Sequence, residues 1–254
     1  MRRNKQNILR KLTVITAKVI NYIEAMRFHY GDDALFICGY EAGCLGFTLY
    51  HQLTDHNVKC VILAPTTMLQ QKGRKKVETD KRDAALIARF LAHHDYSPVH
   101  IPTEQDEQTE EFIRMRDDHK LALKKVKQQI LSFCLRHNYR LDGTTNHNHW
   151  TQAHLKWLRE LNPEGLHAEI LKEYLLTYDN LTDKLVQLDK RIEELAADET
   201  YQENVLKLSC FIGVKTVTAL AVLTEVGDFK HFASAQHFAS YIGLTPGEDS
   251  SGGD

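Results

Sequence analysis

Ala34-Leu-Phe-Ile-Cys-Gly-Tyr-Glu41 is the stretch that decides the fold. Its apolar run, Ala34 to Tyr40, reads as a buried β-strand, and a carboxylate stands one residue past its end. Beyond it, Ala42 to His56 reads as a helix, Val58 to Ala64 as a second buried strand, and Asp80 to His94 as a second helix. A β-α-β-α order favours parallel strands covered by helices. In such an open sheet, function collects at the carboxyl ends of the strands, where Glu41 falls.

Working outward, Ile8, Leu12, Ile15, Val19, Ile23 and Met26 recur at helical spacing and predict a helix ending near Tyr30-Gly31. Within it, Leu12-Thr-Val-Ile-Thr16 is rich in β-branched residues and leaves a remnant strand open. Ser97 to Pro102 reads as a short third strand or an extended linker, and Glu104 to about Asn138 as a long helix. Leu171, Tyr174, Tyr178, Leu181, Leu185, Leu188, Ile192 and Leu195 alternate spacings of three and four, a coiled-coil seam expected to join copies of the chain. From Leu206 the texture changes to short helices, with Phe211 to Leu223 shaped as a hairpin turning at Gly213, whose backbone amides could meet a phosphate.

Composition bounds the function classes. With 43% hydrophobic and 26% charged residues over 254 positions, the chain is an ordinary globular sequence of one large or two modest domains. Its 32 Lys plus Arg against 34 Asp plus Glu mean that nucleic acid would be held by local basic patches rather than by net charge. Five scattered cysteines (Cys38, Cys44, Cys60, Cys134, Cys210) fit reduced thiols of a cytoplasmic protein. No signal peptide is evident, and no run reaches the ~20 apolar residues that cross a bilayer. The histidines of Asn146-His-Asn-His149 and the pair His93-His94 lack partners at ligand spacing and read as loop and surface residues.

Three acids carry the chemistry. Asp80 and Asp83, three apart, point to the same side of a helix and could converge with Glu41 on one or two magnesium ions at a phosphate. The same spacing also fits aspartates that interact with a helix dipole for about 0.3–1 kcal/mol each, beside a solvated Glu41. Lys72, Arg74, Lys75 and Lys76, continuing through Lys81 and Arg82, form a basic loop that would contact phosphates beside the metal, or a solvated charge run. Ser250 and Ser251 stand in a Gly-rich loop where a serine nucleophile could be presented.

Taken together, Tyr40-Glu-Ala-Gly43, Val61-Ile-Leu-Ala-Pro65, Lys76-Val-Glu-Thr-Asp-Lys-Arg-Asp-Ala84, Gly243-Leu-Thr-Pro246 and Ser250-Ser-Gly-Gly253 resemble one family. It is the IS-one-ten insertion-sequence transposases, the DEDD recombinases related to the Piv DNA invertase. The resemblance implies a RuvC-like domain of RNase H fold over residues 1–103, a helical coiled-coil insertion over 104–200 and an α-helical transposase domain over 201–254. Matched by motif, Glu41 is the second acid, Asp80 and Asp83 are the third and fourth, and Ser251 is the nucleophile with Ser250 as fallback. The implied cofactor is Mg2+. The implied partners are double-stranded DNA, a guide (bridge) RNA and further copies of the chain, with no membrane.

Two departures shape the expectation. The family's first aspartate lies on an opening strand of the form Gly-Ile-Asp, which this sequence lacks, and Asp32 and Asp33 would lie at the opposite end of the Glu41 strand. The family also continues past Ser-Ser-Gly-Gly, whereas this sequence stops at Asp254. A recombinase fragment of weak or absent strand cleavage is therefore expected. The rival readings are a RuvC-like nuclease that uses water, and a non-enzymatic coiled-coil module that holds nucleic acid.

Overall fold

The structure, a computed structural model, describes residues 2–31, 33–43, 46–64, 80–96, 98–141 and 149–244, the side chains of 2–15 and 80–82 excepted. The chain divides into two compact units, 1–101 and 102–254. Most of the described residues are helical, and among them there is one small sheet.

In the first unit, α1 (Arg2–Tyr30) runs straight through Leu12-Thr-Val-Ile-Thr16, so the remnant strand is not formed. The apolar residues beyond it, Val19, Ile20 and Ile23, keep the helical stripe and pack together, and that packing outweighs the local β preference. Strands β1 (Ile37–Glu41) and β2 (Lys59–Leu63) pair in parallel, with Cys38 opposite Cys60, Gly39 opposite Val61 and Glu41 opposite Leu63. Side chains alternate across this sheet. Cys38, Tyr40 and Cys60 pack under α1 and α2 (Thr48–Asp55), among Ile23, Leu53 and Val58. Ile37, Val61 and Leu63 pack under α3 (Asp80–His93), against Leu86, Ile87, Phe90 and Leu91. Both faces are thus covered, the condition under which parallel strands occur.

Two boundaries differ from the sequence pattern. Helix α2 begins at Thr48 rather than Ala42. Gly46 sits at φ 62°, incompatible with a right-handed helix, and Tyr40 holds that segment through a hydrogen bond from its hydroxyl to the Gly46 carbonyl at 3.5 Å. The third strand is reduced to one antiparallel bridge between Leu63 and Pro98, beside a Val99 N–H to Ile62 carbonyl bond of 2.8 Å.

The second unit is built on α4 (Glu104–Arg136), which starts in a capping box between Thr103 and Asp106. Helix α6 (Leu166–Ala196) lies antiparallel to it, since Arg116 meets Asp189 at one end and Phe133 meets Tyr174 at the other. Leu171 and Tyr178 pack with Val126, Ile130 and Phe133, together with Leu155 and Leu158 of α5 (Gln152–Glu160). Toward the other end, Ile192 and Ala196 join Ile113 and three residues of α8 (Thr216–Val226): Ala219, Leu220 and Leu223. Of the seam expected to join copies of the chain, Leu171, Tyr178, Leu188 and Ile192 are thus buried within this one, at most 8% exposed, while Tyr174, Leu181, Leu185 and Leu195 are half-buried. Heptad spacing demands an apolar partner but does not name it, and α4 supplies it here. Helices α7 (Gln202–Ser209) and α9 (Ala235–Tyr241) complete the unit, with a short 3-10 turn at Phe229–His231.

Candidate active site

The ladder between β1 and β2 continues one residue beyond Glu41, through the Ala42 N–H to Leu63 carbonyl bond of 2.9 Å. Glu41 is therefore still in strand geometry, and alternation places it with Ile37 and Gly39 on the face that α3 covers. It is exposed, at the carboxyl end of the strand. Helix α3 opens on Asp80, and Asp83 in its first turn is half-buried. Among the described residues neither Glu41 nor Asp83 has an ion-pair partner.

The Leu91 side chain of α3 reaches into the space beside Gly39 of β1. A β-carbon there would lie 2.8 Å from Leu91 Cδ1, 3.2 Å from Leu91 Cδ2 and 3.0 Å from Leu63 Cδ1. The sequence pattern did not draw attention to Gly39, although a glycine inside a strand is a signal of close approach by another part of the chain.

Other expected site residues fall elsewhere. The Asp80, Lys81 and Arg82 side chains lie outside the described residues, although their backbone is helical. Lys72, Arg74, Lys75, Lys76, Ser250 and Ser251 also lie outside them. Among the described residues no three of His, Cys, Asp or Glu gather as a metal-binding group. The donors that α3 and β1 offer are carboxylate oxygens, the hard ligands that suit Mg2+ rather than a thiophilic metal. Two of the described thiols are on the other face: Cys38 and Cys60 stand opposite one another under α1 and α2. Burial pushes the Cys60 thiol up to about 11, with Cys38 adding to the effect, and raises the Cys38 thiol as well.

The hairpin between α7 and α8 forms, with Gly213 at φ 89° and the side chains of Phe211 and Ile212 exposed. Its α8 N-terminus has no side-chain cap. Among the described residues no helix is long and apolar enough to cross a membrane.

Residues 8–138 match the family model of the DEDD IS110 transposases, and residues 207–254 match that of the Transposase IS116/IS110/IS902 family. The transposase for insertion sequence element IS1533 of Leptospira borgpetersenii is 38% identical over 198 residues, covering 76% of this chain and 56% of that protein. The pilin gene-inverting protein of Moraxella lacunata is 27% identical over 232 residues, covering 88% of this chain and 60% of that protein. The chain spans about half the length of the curated relatives it matches. The chain is mostly helical among its described residues, with a small parallel sheet in the region of the DEDD match, and it is similar to proteins named as transposases. The chain belongs to the IS110 family of insertion-sequence transposases.

Proposed function

We propose that this chain carries the strand-cutting centre of an insertion-sequence recombinase, with Glu41, Asp80 and Asp83 as the ligands of Mg2+. The observation that carries this reading is the placement of Glu41, at the carboxyl end of β1 and on the face covered by the helix that opens on Asp80 and Asp83. Three carboxylates offer a divalent cation compensating charge and hard oxygen donors. When bound, the cation neutralises charge on the scissile phosphate and polarises it toward attack.

The chain's own residues do the rest. Lys72, Arg74, Lys75, Lys76, Lys81 and Arg82 hold the DNA backbone beside the acids. The Ser251 hydroxyl attacks phosphorus, a bond from its Oγ to phosphorus forms as the DNA P–O bond breaks, and the departing DNA oxygen leaves as a hydroxyl. In this reading residues 1–103 are a RuvC-like unit of RNase H type, 104–200 a helical insertion and 201–254 the domain that brings the serine. Double-stranded DNA is the substrate, and a guide RNA and further copies of the chain are partners.

The test incubates the purified chain with Mg2+ and end-labelled duplex DNA: a covalent protein–DNA adduct, even a weak one, that is lost in Glu41→Gln, Asp83→Asn and Ser251→Ala supports the reading. Cleavage that survives Ser251→Ala without an adduct assigns water as nucleophile. Cleavage that survives Glu41→Gln removes the acid site.

A further inference from the structure

We infer that Gly39 is a positioning residue for the acid site: its missing side chain lets α3 sit close enough to β1 for Asp83 to share a cation with Glu41. This rests on the acid-site reading above. Gly39 lies within β1 and is not among the glycines at positive φ, so its backbone is one that any residue could adopt. Its glycine identity answers a need for space instead.

The space is taken by Leu91, which is 9% exposed and packs with Leu63 and Phe90. Both Leu91 methyl groups, not one, lie within 3.2 Å of the position a β-carbon would occupy. Swapping the two therefore leaves the clash in place, and relief needs either Leu91 to turn away within its packing with Leu63 and Phe90 or α3 to move outward. The same two elements carry the acids. Glu41 is two residues beyond Gly39 on the same face, and Asp83 is eight residues before Leu91 (91 − 83), a little over two turns on one rigid helix. Mg2+ demands near-ideal octahedral geometry, so a displacement of about 1 Å at this contact is enough to separate the ligands.

The test uses the full chain and Mn2+, whose binding is read by electron paramagnetic resonance, with circular dichroism as the check on folding. Gly39→Val adds three side-chain carbons, suits a strand, and should weaken Mn2+ binding about tenfold or more, the scale seen when supporting residues around a metal are changed. Leu91→Ala removes three carbons from the facing position, so the pair Gly39→Val with Leu91→Ala should bind Mn2+ within about threefold of wild type. Gly39→Ala, the milder change, should give a smaller loss and serves if the valine variant does not fold. A folded Gly39→Val or Gly39→Ala chain that binds Mn2+ as wild type does overturns the inference while leaving the acid site standing. Failure of Leu91→Ala to restore binding overturns it too. Absence of Mn2+ binding by the wild-type chain overturns both the inference and the acid-site reading.

Discussion

The Tyr201 hydroxyl donates to the Asp106 carboxylate at 2.7 Å, joining the N-cap of α7 to the first turn of α4 across 95 positions of sequence. Asp106 also accepts from the Thr103 hydroxyl at 2.6 Å, so one carboxylate caps α4 and anchors α7. Tyr201 is 4% exposed, and burial, with the Asp106 charge adding to it, pushes its phenol up to about 12. It therefore remains a donor throughout the working pH range. Tyr201→Phe should cost about 1.5–3 kcal/mol, the range for a hydrogen bond to a charged group, measured by urea unfolding with an unchanged m-value.

The seam of α6 gives a sharper test, because its direction is what the structure decided. Leu188 is 5% exposed within the chain. Leu188→Asp places a charge there without a partner and should abolish the cooperative thermal transition. A variant that keeps its transition and changes only its mass in light scattering would show that the seam faces another chain. Ile192→Ala, at a fully buried position, should cost about 2–5 kcal/mol.

Stability should fall on mild acidification because of His154. Its ring is 2% exposed, and its Nδ1 accepts the Trp150 backbone N–H at 3.2 Å, which requires an unprotonated nitrogen there. Burial, helped by nearby His149, holds its pKa below the ordinary histidine value. A folded-state pKa below the unfolded one means that the unfolded chain binds the extra proton first. The histidine's contribution is thus complete above pH ~6.5 and declines as pH drops through that value toward the lower folded one. His137 is shifted the same way by burial and by His167, while Asp198 and Glu203, held low by their hydrogen bonds, lose their contributions only below about pH 4.5. Melting temperatures between pH 7.5 and 5.5 should decline in wild type and decline less in His154→Gln.

Thiol chemistry should sort by exposure. Cys210 is exposed on the α7 side of the hairpin, whereas Cys60 and Cys134 are buried and their thiols raised by burial. Peptide mapping after brief iodoacetamide treatment at pH 8 should find Cys210 alkylated well before either. Early modification of Cys60 would mean that the face under α1 and α2 opens readily.

Much of the scaffold was legible from local signals. Helix α3 begins at Asp80, where the aspartates met the first apolar period, and α4 begins at Glu104 because Thr103 and Asp106 write a capping box in four consecutive residues. Glu41 could be read as the end of a strand because an apolar run stops there. The delayed start of α2 was less legible, since Gly46 reveals its positive φ only once the turn is built.

Periodicity and capping depend on residues within a few positions of each other, and those the linear chain determined by itself: where helices and strands lie, and that a carboxylate closes β1. What α6 packs against, which carboxylate holds Tyr201, and how near Leu91 comes to Gly39 were decided only by the tertiary structure. An apolar stripe is satisfied by any apolar surface and a carboxylate by any donor. The choice among them depends on which groups the folded chain brings within a few ångströms, often from positions dozens of residues apart.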